Sequence, residues 1–163
     1  MKMNQNARVV TVFLFALVFP FLNATADPIV LKAVSYGAHG GPGLGSVEFI
    51  RDGETVHHAL GGSGLGRGWY IWVVNLETGE SPPIQKFDPW GNRADLPRLT
   101  AYLRSIELNS LCTLAICDEG GLTRWDSCAF YDEPEVEEFL AELENLGAEK
   151  IRNLCYRDSY SLA

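Results

Sequence analysis

The residues that most constrain the fold are Trp69-Tyr70-Ile71-Trp72-Val73-Val74-Asn75-Leu76. In an extended chain successive side chains point to opposite faces. Trp69, Ile71 and Val73 therefore share one face, and Tyr70, Trp72, Val74 and Leu76 share the other. Both faces are apolar, which predicts a strand in the middle of a sheet, packed on both sides. Glu77-Thr78-Gly79-Glu80 supplies a turn, and residues 84–87 read as the return strand. Pro82 and Pro83 stand ahead of that strand, where no ladder hydrogen bond is lost. The glycine-rich residues 61–68 lead into this hairpin and put Arg67 at its mouth.

The N-terminus carries a different signal. Lys2 and Arg8 form a positive region, residues 9–22 are almost wholly apolar, and Ala24-Thr25-Ala26 is a small-residue cleavage site. This pattern predicts a secretory signal peptide over residues 1–26, cut before Asp27. The apolar run is shorter than the roughly 20 residues a bilayer requires, and Pro20 interrupts it. No second run of spanning length follows, so residues 27–163 are expected outside the cell, or in the periplasm of a bacterium, as one domain with no membrane span.

The chain is acidic, with a formal charge of −8. It has no basic stripe, which argues against nucleic acid as a partner. Its four cysteines, Cys112, Cys117, Cys128 and Cys155, all follow the leader. An even count in an exported chain predicts two disulfides, with three pairings open. Zinc is disfavoured, because the cysteines form no C-x-x-C pair and no histidine lies near them. Cys112 and Cys117 differ in parity along one strand and are poor partners for each other, so pairing through Cys128 or Cys155 is expected.

Residues 29–36, 46–51 and 54–60 read as strands, the last two joined at Asp52-Gly53, a two-residue hairpin signal. His57 and His58 are neighbours on the third of these strands and so face opposite ways, one packed and one exposed. The glycines of 61–68 lead into a strand and lack a Gly-Lys-Ser/Thr ending, so they are a turn and not a nucleotide loop. A helix is expected over 96–106, with Asp95 as N-cap. A buried strand is expected over 111–117, a second amphipathic helix over 134–146 and a last strand over 151–156. The result is a mixed α+β fold, small β-sheets packed as a β-β-α sandwich with two flanking helices.

Strand, helix, strand over 111–156 predicts a parallel crossover. Asp118 and Arg157 would then emerge at one edge of the sheet, and Arg67 would reach it from an antiparallel neighbour. Two guanidinium groups and a carboxylate suit a polar, largely neutral ligand such as an N-acetylated sugar. Trp90 and Trp125 are the aromatics placed to offer an apolar face to a sugar ring. The same charged trio also reads as an ion-pair network tying loops together, and spacing alone favours that reading.

Arg67-Gly68 before the apolar strand, Thr78-Gly79, Phe87-Asp88, Asp118-Glu119-Gly120, Leu146-Gly147 and Tyr156-Arg157-Asp158-Ser159-Tyr160 occur in a specific order. In that order the chain resembles the interleukin-like EMT inducer and pancreatic-derived factor family. It is similar, too, to the stem domain of protein O-mannose β-1,2-N-acetylglucosaminyltransferase. The resemblance implies a secreted, non-catalytic module that recognises an N-acetylglucosamine-type glycan or glycoprotein, or a cytokine-like factor with a cell-surface receptor. It implies sugar contacts at Arg67, Asp118 and Arg157, and no cofactor. Family members continue past the last motif with another apolar strand, which implies a domain lacking its last strand. The competing class is a carboxylate-dependent glycan-processing enzyme built on Asp118 and Glu119. Adjacent residues rarely flank a substrate from opposite sides, and no nucleophile–His–acid signature accompanies them.

Overall fold

A computed structural model describes residues 30–36, 45–61, 66–124, 127–156, 158 and 160–162. The predicted signal peptide, Trp125 and Arg157 lie outside them. Among the described residues the strands are β1 (Leu31–Tyr36), β2 (Ser46–Arg51), β3 (Glu54–Leu60), β4 (Gly68–Asn75), β5 (Gln85–Phe87), β6 (Ser110–Cys117) and β7 (Ser161–Leu162). The helices are α1 (Asp95–Arg104) and α2 (Pro134–Asn145), and Ile151–Asn153 forms a single 3-10 turn. The strands make two antiparallel sheets, ordered β1-β2-β3 and β5-β4-β6-β7.

β4 is the centre of this arrangement, flanked by β5 and β6 and buried on both faces. Trp69, Ile71 and Val73 face the helices and join Leu114 and Ile116 of β6, Leu96, Leu99 and Leu103 of α1, and Val136, Phe139, Leu140 and Leu143 of α2. Tyr70, Trp72 and Val74 face the outer sheet and join Ala115, Cys117, Leu31, Ala33, Val47 and Phe49. The period-2 pattern of one strand thus supplies two cores, and the layers are β, β and α, a mixed α+β fold as expected. Leu76 falls past the end of β4 and is exposed, because the chain has already turned there.

The β2–β3 turn has Asp52 at φ 53° and Gly53 at φ 86°. These left-handed values suit a two-residue hairpin, and Asp and Gly tolerate them. Beyond the turn, His57 faces inward, with its ring 6.3 Å from Phe49 and 5.2 Å from Tyr70, while His58 is exposed.

Four local expectations are corrected. Asp95 is not the N-cap of α1; Ala94 is, and Asp95 sits in the first turn. Its carboxylate accepts from the Asp88 backbone N–H at 3.0 Å and from Asn92 Nδ2 at 3.1 Å. Residues 151–156 are not a strand. Arg152 donates to Glu137 and Glu144 of α2, at 2.7 Å and 2.6 Å, and this docks the segment along the helix. The free edge of β6 is taken instead by β7, antiparallel, so the described residues form no parallel crossover. The predicted second disulfide is absent: Cys128 pairs with Cys155, while Cys112 and Cys117 are thiols. Cys112 packs on the helix side of β6 and Cys117 on the outer-sheet side, so the two point apart.

Candidate functional site

The register of β4 on β6 pairs Gly68 with Cys117, which sets Arg67 beside Asp118 at one end of the sheet. The backbone there needs unusual conformations. Gly68 has φ 120°, and a Cβ on it would lie 2.2 Å or a little more from the Phe87 carbonyl group, a position no larger residue could fill. Asp118 has φ 63°, in the left-handed region that Asp enters more readily than bulky residues. It is buried, at 8% exposure.

Arg67 is clamped by Asp88, the residue after β5. Arg67 Nε donates to Asp88 Oδ1 at 3.0 Å and Nη2 donates to Oδ2 at 2.9 Å, a two-pronged fit of guanidinium to carboxylate. The same carboxylate accepts the Gly91 N–H at 3.0 Å, which ties down the turn carrying Trp90. Gly91 leaves room for the pair, since a Cβ there would meet Asp88 Oδ2 at 2.6 Å and Arg67 Nη2 at 2.8 Å and push the two side chains aside. The hydrogen bonds that Arg67 donates to Asp88, with the charges of Asp88, Asp118 and Glu119 behind them, raise the Arg67 pKa against a smaller opposing effect of burial. Arg67 is therefore a fixed cation held in place by an acidic rim.

Glu119 is also buried, and its Oε1 accepts the Gly121 N–H at 2.8 Å. Trp69 Nε1 donates to Gly120 O at 2.8 Å, so the Asp118–Gly121 turn is anchored to the central strand. Trp90 lies over this end, with its ring 6.0 Å from the Arg67 Cζ and 6.0 Å from the Tyr156 ring centroid. Tyr156 is held by the neighbouring disulfide: Cys155 is bonded to Cys128, and the Tyr156 N–H donates to Ser127 O at 2.8 Å.

Beside Trp90 opens a depression of about 310 Å³ lined by Pro89, Trp90, Arg93, Tyr131 and Glu133. The Arg93 guanidinium stacks 4.9 Å from the Tyr131 ring centroid, and its Nε donates to Glu133 Oε2 at 2.7 Å. It also donates to Gly121 O, which links the depression to the Asp118 turn. Of the residues picked from sequence, Arg67, Asp118 and Trp90 come together here, while Arg157 and Trp125 lie outside the described residues. Asp88, Arg93, Tyr131 and Glu133 were not picked. Asp88 was visible only as half of the Phe87-Asp88 motif; Tyr131 and Glu133 stood out only as part of the long stretch 122–133 that caps or packs on this end, and their meeting with Arg93 depends on how α1 and α2 dock.

No group of three or more His, Cys, Asp or Glu side chains among the described residues is arranged to hold a metal ion. No helix among them is long and apolar enough to cross a membrane. The described residues form a three-layer α+β domain with a polar and aromatic corner and a disulfide beside it. The family model of the interleukin-like EMT inducer matches residues 67–163, more than half of the 163-residue chain, and the chain belongs to that family. This places it with cytokine-like factors. The matched segment starts at Arg67, so β1, β2 and β3 precede it. No curated protein matches the chain.

Proposed function

We propose that the chain is an exported, non-catalytic factor of cytokine-like type whose binding corner takes a polar, largely neutral ligand, an N-acetylated sugar of a cell-surface glycoprotein. The observation that carries this reading is the Trp90 corner. There an aromatic ring stands beside a fixed guanidinium, a buried carboxylate turn and a depression of about 310 Å³. An aromatic face covers the apolar side of a sugar ring, and guanidinium and carboxylate groups satisfy its hydroxyl and amide groups. Because Asp88 already neutralises Arg67 and Glu133 already pairs with Arg93, the corner favours a neutral ligand over a charged one. The enzyme reading loses support, since Glu119 spends its carboxylate on a backbone N–H within its own turn.

The test is titration of the folded protein with N-acetylglucosamine, followed by NMR. Shifts should localise to the Trp90 indole, Tyr131 and the Asp118 turn. Asp118→Asn, Arg157→Ala and Trp90→Ala should each weaken binding, by about 1.5–3 kcal/mol for the charged pair of changes. Trp90→Ala should leave the unfolding midpoint nearly unchanged. If no sugar binds at millimolar concentration and these changes lower only the midpoint, the corner is a structural network and the receptor surface lies elsewhere.

A further inference from the structure

One titratable ring between the two sheets has no part in the ligand-binding reading. His57 stands opposite Phe49 in the β2–β3 register and packs on Phe49 and Tyr70. Its Nε2 is buried with no hydrogen-bond partner among the described residues. β3 has few other anchors: it pairs with β2 alone, and Val56 and Leu60 are exposed. The neighbouring inward residue, Ala59, contributes a carbonyl that accepts a long bond from Cys117 Sγ at 3.8 Å.

The far end of β3 is built into the binding corner. A Cβ on Gly61 would fall 2.8 Å from the Cβ of Asp118, and one on Gly66 would overlap the Leu60 carbonyl. Leu60 and Gly61 are thus the wall against which Asp118 and the approach to Arg67 rest. Tyr70 joins the two regions, since its ring holds His57 while its hydroxyl donates to Gly66 O at 3.0 Å.

We propose that His57 is an acid-sensitive latch: protonation of its ring detaches β3 from the inter-sheet core and withdraws the Leu60–Gly61 wall from Asp118 and Arg67. A charged imidazole would bury an Nε2–H that has no acceptor among the described residues, and burying an unsatisfied charged donor is costly. The groups around the ring do not favour a cation. On its own strand stands His58. Across from His58 on the outer face stands Glu48, which accepts from the Thr55 hydroxyl at 2.5 Å and is placed to steady His58 rather than His57. From the inner sheet come Tyr70 of β4, Cys117 of β6 and Lys86 of β5, whose ammonium lies 6.0 Å from the Tyr70 ring centroid. Asp88 and Asp118 stand behind Tyr70 and Cys117, within electrostatic reach of them.

Burial first, and the charge of His58 second, lower the His57 pKa from its ordinary 6.5. The released strand therefore binds a proton more readily than the docked one. The latch is fully closed above the ordinary value and loses stability as pH falls through it toward the lower docked value. The consequence, surrender of ligand in an acidic compartment, rests on the sugar-binding reading, but the latch itself is read without any ligand.

The experiment is amide hydrogen exchange on the ligand-free full chain at about pH 7.5 and about pH 5, bracketing histidine titration. Protection of residues 56–60 and of Gly61, corrected for intrinsic rates, should fall by roughly threefold or more at the lower pH. His57→Phe, which keeps an apolar ring and cannot titrate, should abolish that fall, while His58→Gln should retain it. Equal protection at both pH values, an unchanged fall in His57→Phe, or its loss in His58→Gln overturns the proposal. If His57→Phe does not fold, an NMR pH titration of the unaltered protein decides. The His57 ring and the β3 amides must share one midpoint, and separate midpoints overturn the latch. Absence of sugar binding leaves these outcomes intact, so the two readings fail separately.

Discussion

Asp88 organises the binding corner by satisfying three donors with one carboxylate, two from Arg67 and one from the turn that carries Trp90. Its side chain is 19% exposed and that of Arg67 is 21% exposed, so solvent offers only partial replacement. Asp88→Ala should cost about 2 kcal/mol in urea unfolding, within the range for hydrogen bonds to charged groups. It should also broaden the Trp90 resonances, since the turn loses its anchor. Asp88→Asn, which keeps the shape, should cost less. Arg67 and Asp118 were legible as candidates because motif and strand position put each at an end of the sheet, and Trp90 only as a nearby aromatic. The part played by Asp88 was not, because a partner 21 residues away is chosen by the β4–β5 register and not by local spacing.

At the level of elements, the two-faced strand was the best-marked feature of the chain, and it lies where its pattern put it. Trp72 is 3% exposed and packs edge-on against Phe49 with ring centroids 5.8 Å apart. Trp72→Ala should therefore cost about 3–5 kcal/mol, as large aromatic deletions in cores do. A near-neutral result in chemical denaturation would show that the outer sheet is not firmly seated. The β2–β3 hairpin and both helices were legible for related reasons: Asp52-Gly53 is a specific turn signal, and Leu96, Leu99 and Leu103 repeat at helical spacing. Residues 151–156 were misread because Ile151 and Leu154 are apolar whichever way the backbone runs. Ile151 and Leu154 pack into the helix-side core, with Arg152 paired to two glutamates of α2, a tertiary match that a six-residue window does not contain.

For the molecule as a whole, the Cys128–Cys155 disulfide closes a loop of sequence separation 27 that includes α2. Replacing both cysteines by serine should cost about 3.5 kcal/mol on the loop-entropy estimate, read as a lower midpoint with the same unfolded spectrum. Burial raises the thiol pKa of Cys112 and of Cys117 to about 11. Alkylation of the native protein at neutral pH should therefore be slow, and unfolding without reductant should release two reactive thiols. Four would show the disulfide unformed, and none would show that Cys112 and Cys117 are oxidised. The burial of Trp69 and Trp72 on opposite faces of β4 has one more consequence. Two indoles three positions apart in sequence belong to separate hydrophobic compartments, with a single backbone as their common wall. If that wall gives way, both compartments lose a side together. Loss of β4 would thus open both halves of the core at once, and tryptophan emission samples both of them through Trp69 and Trp72.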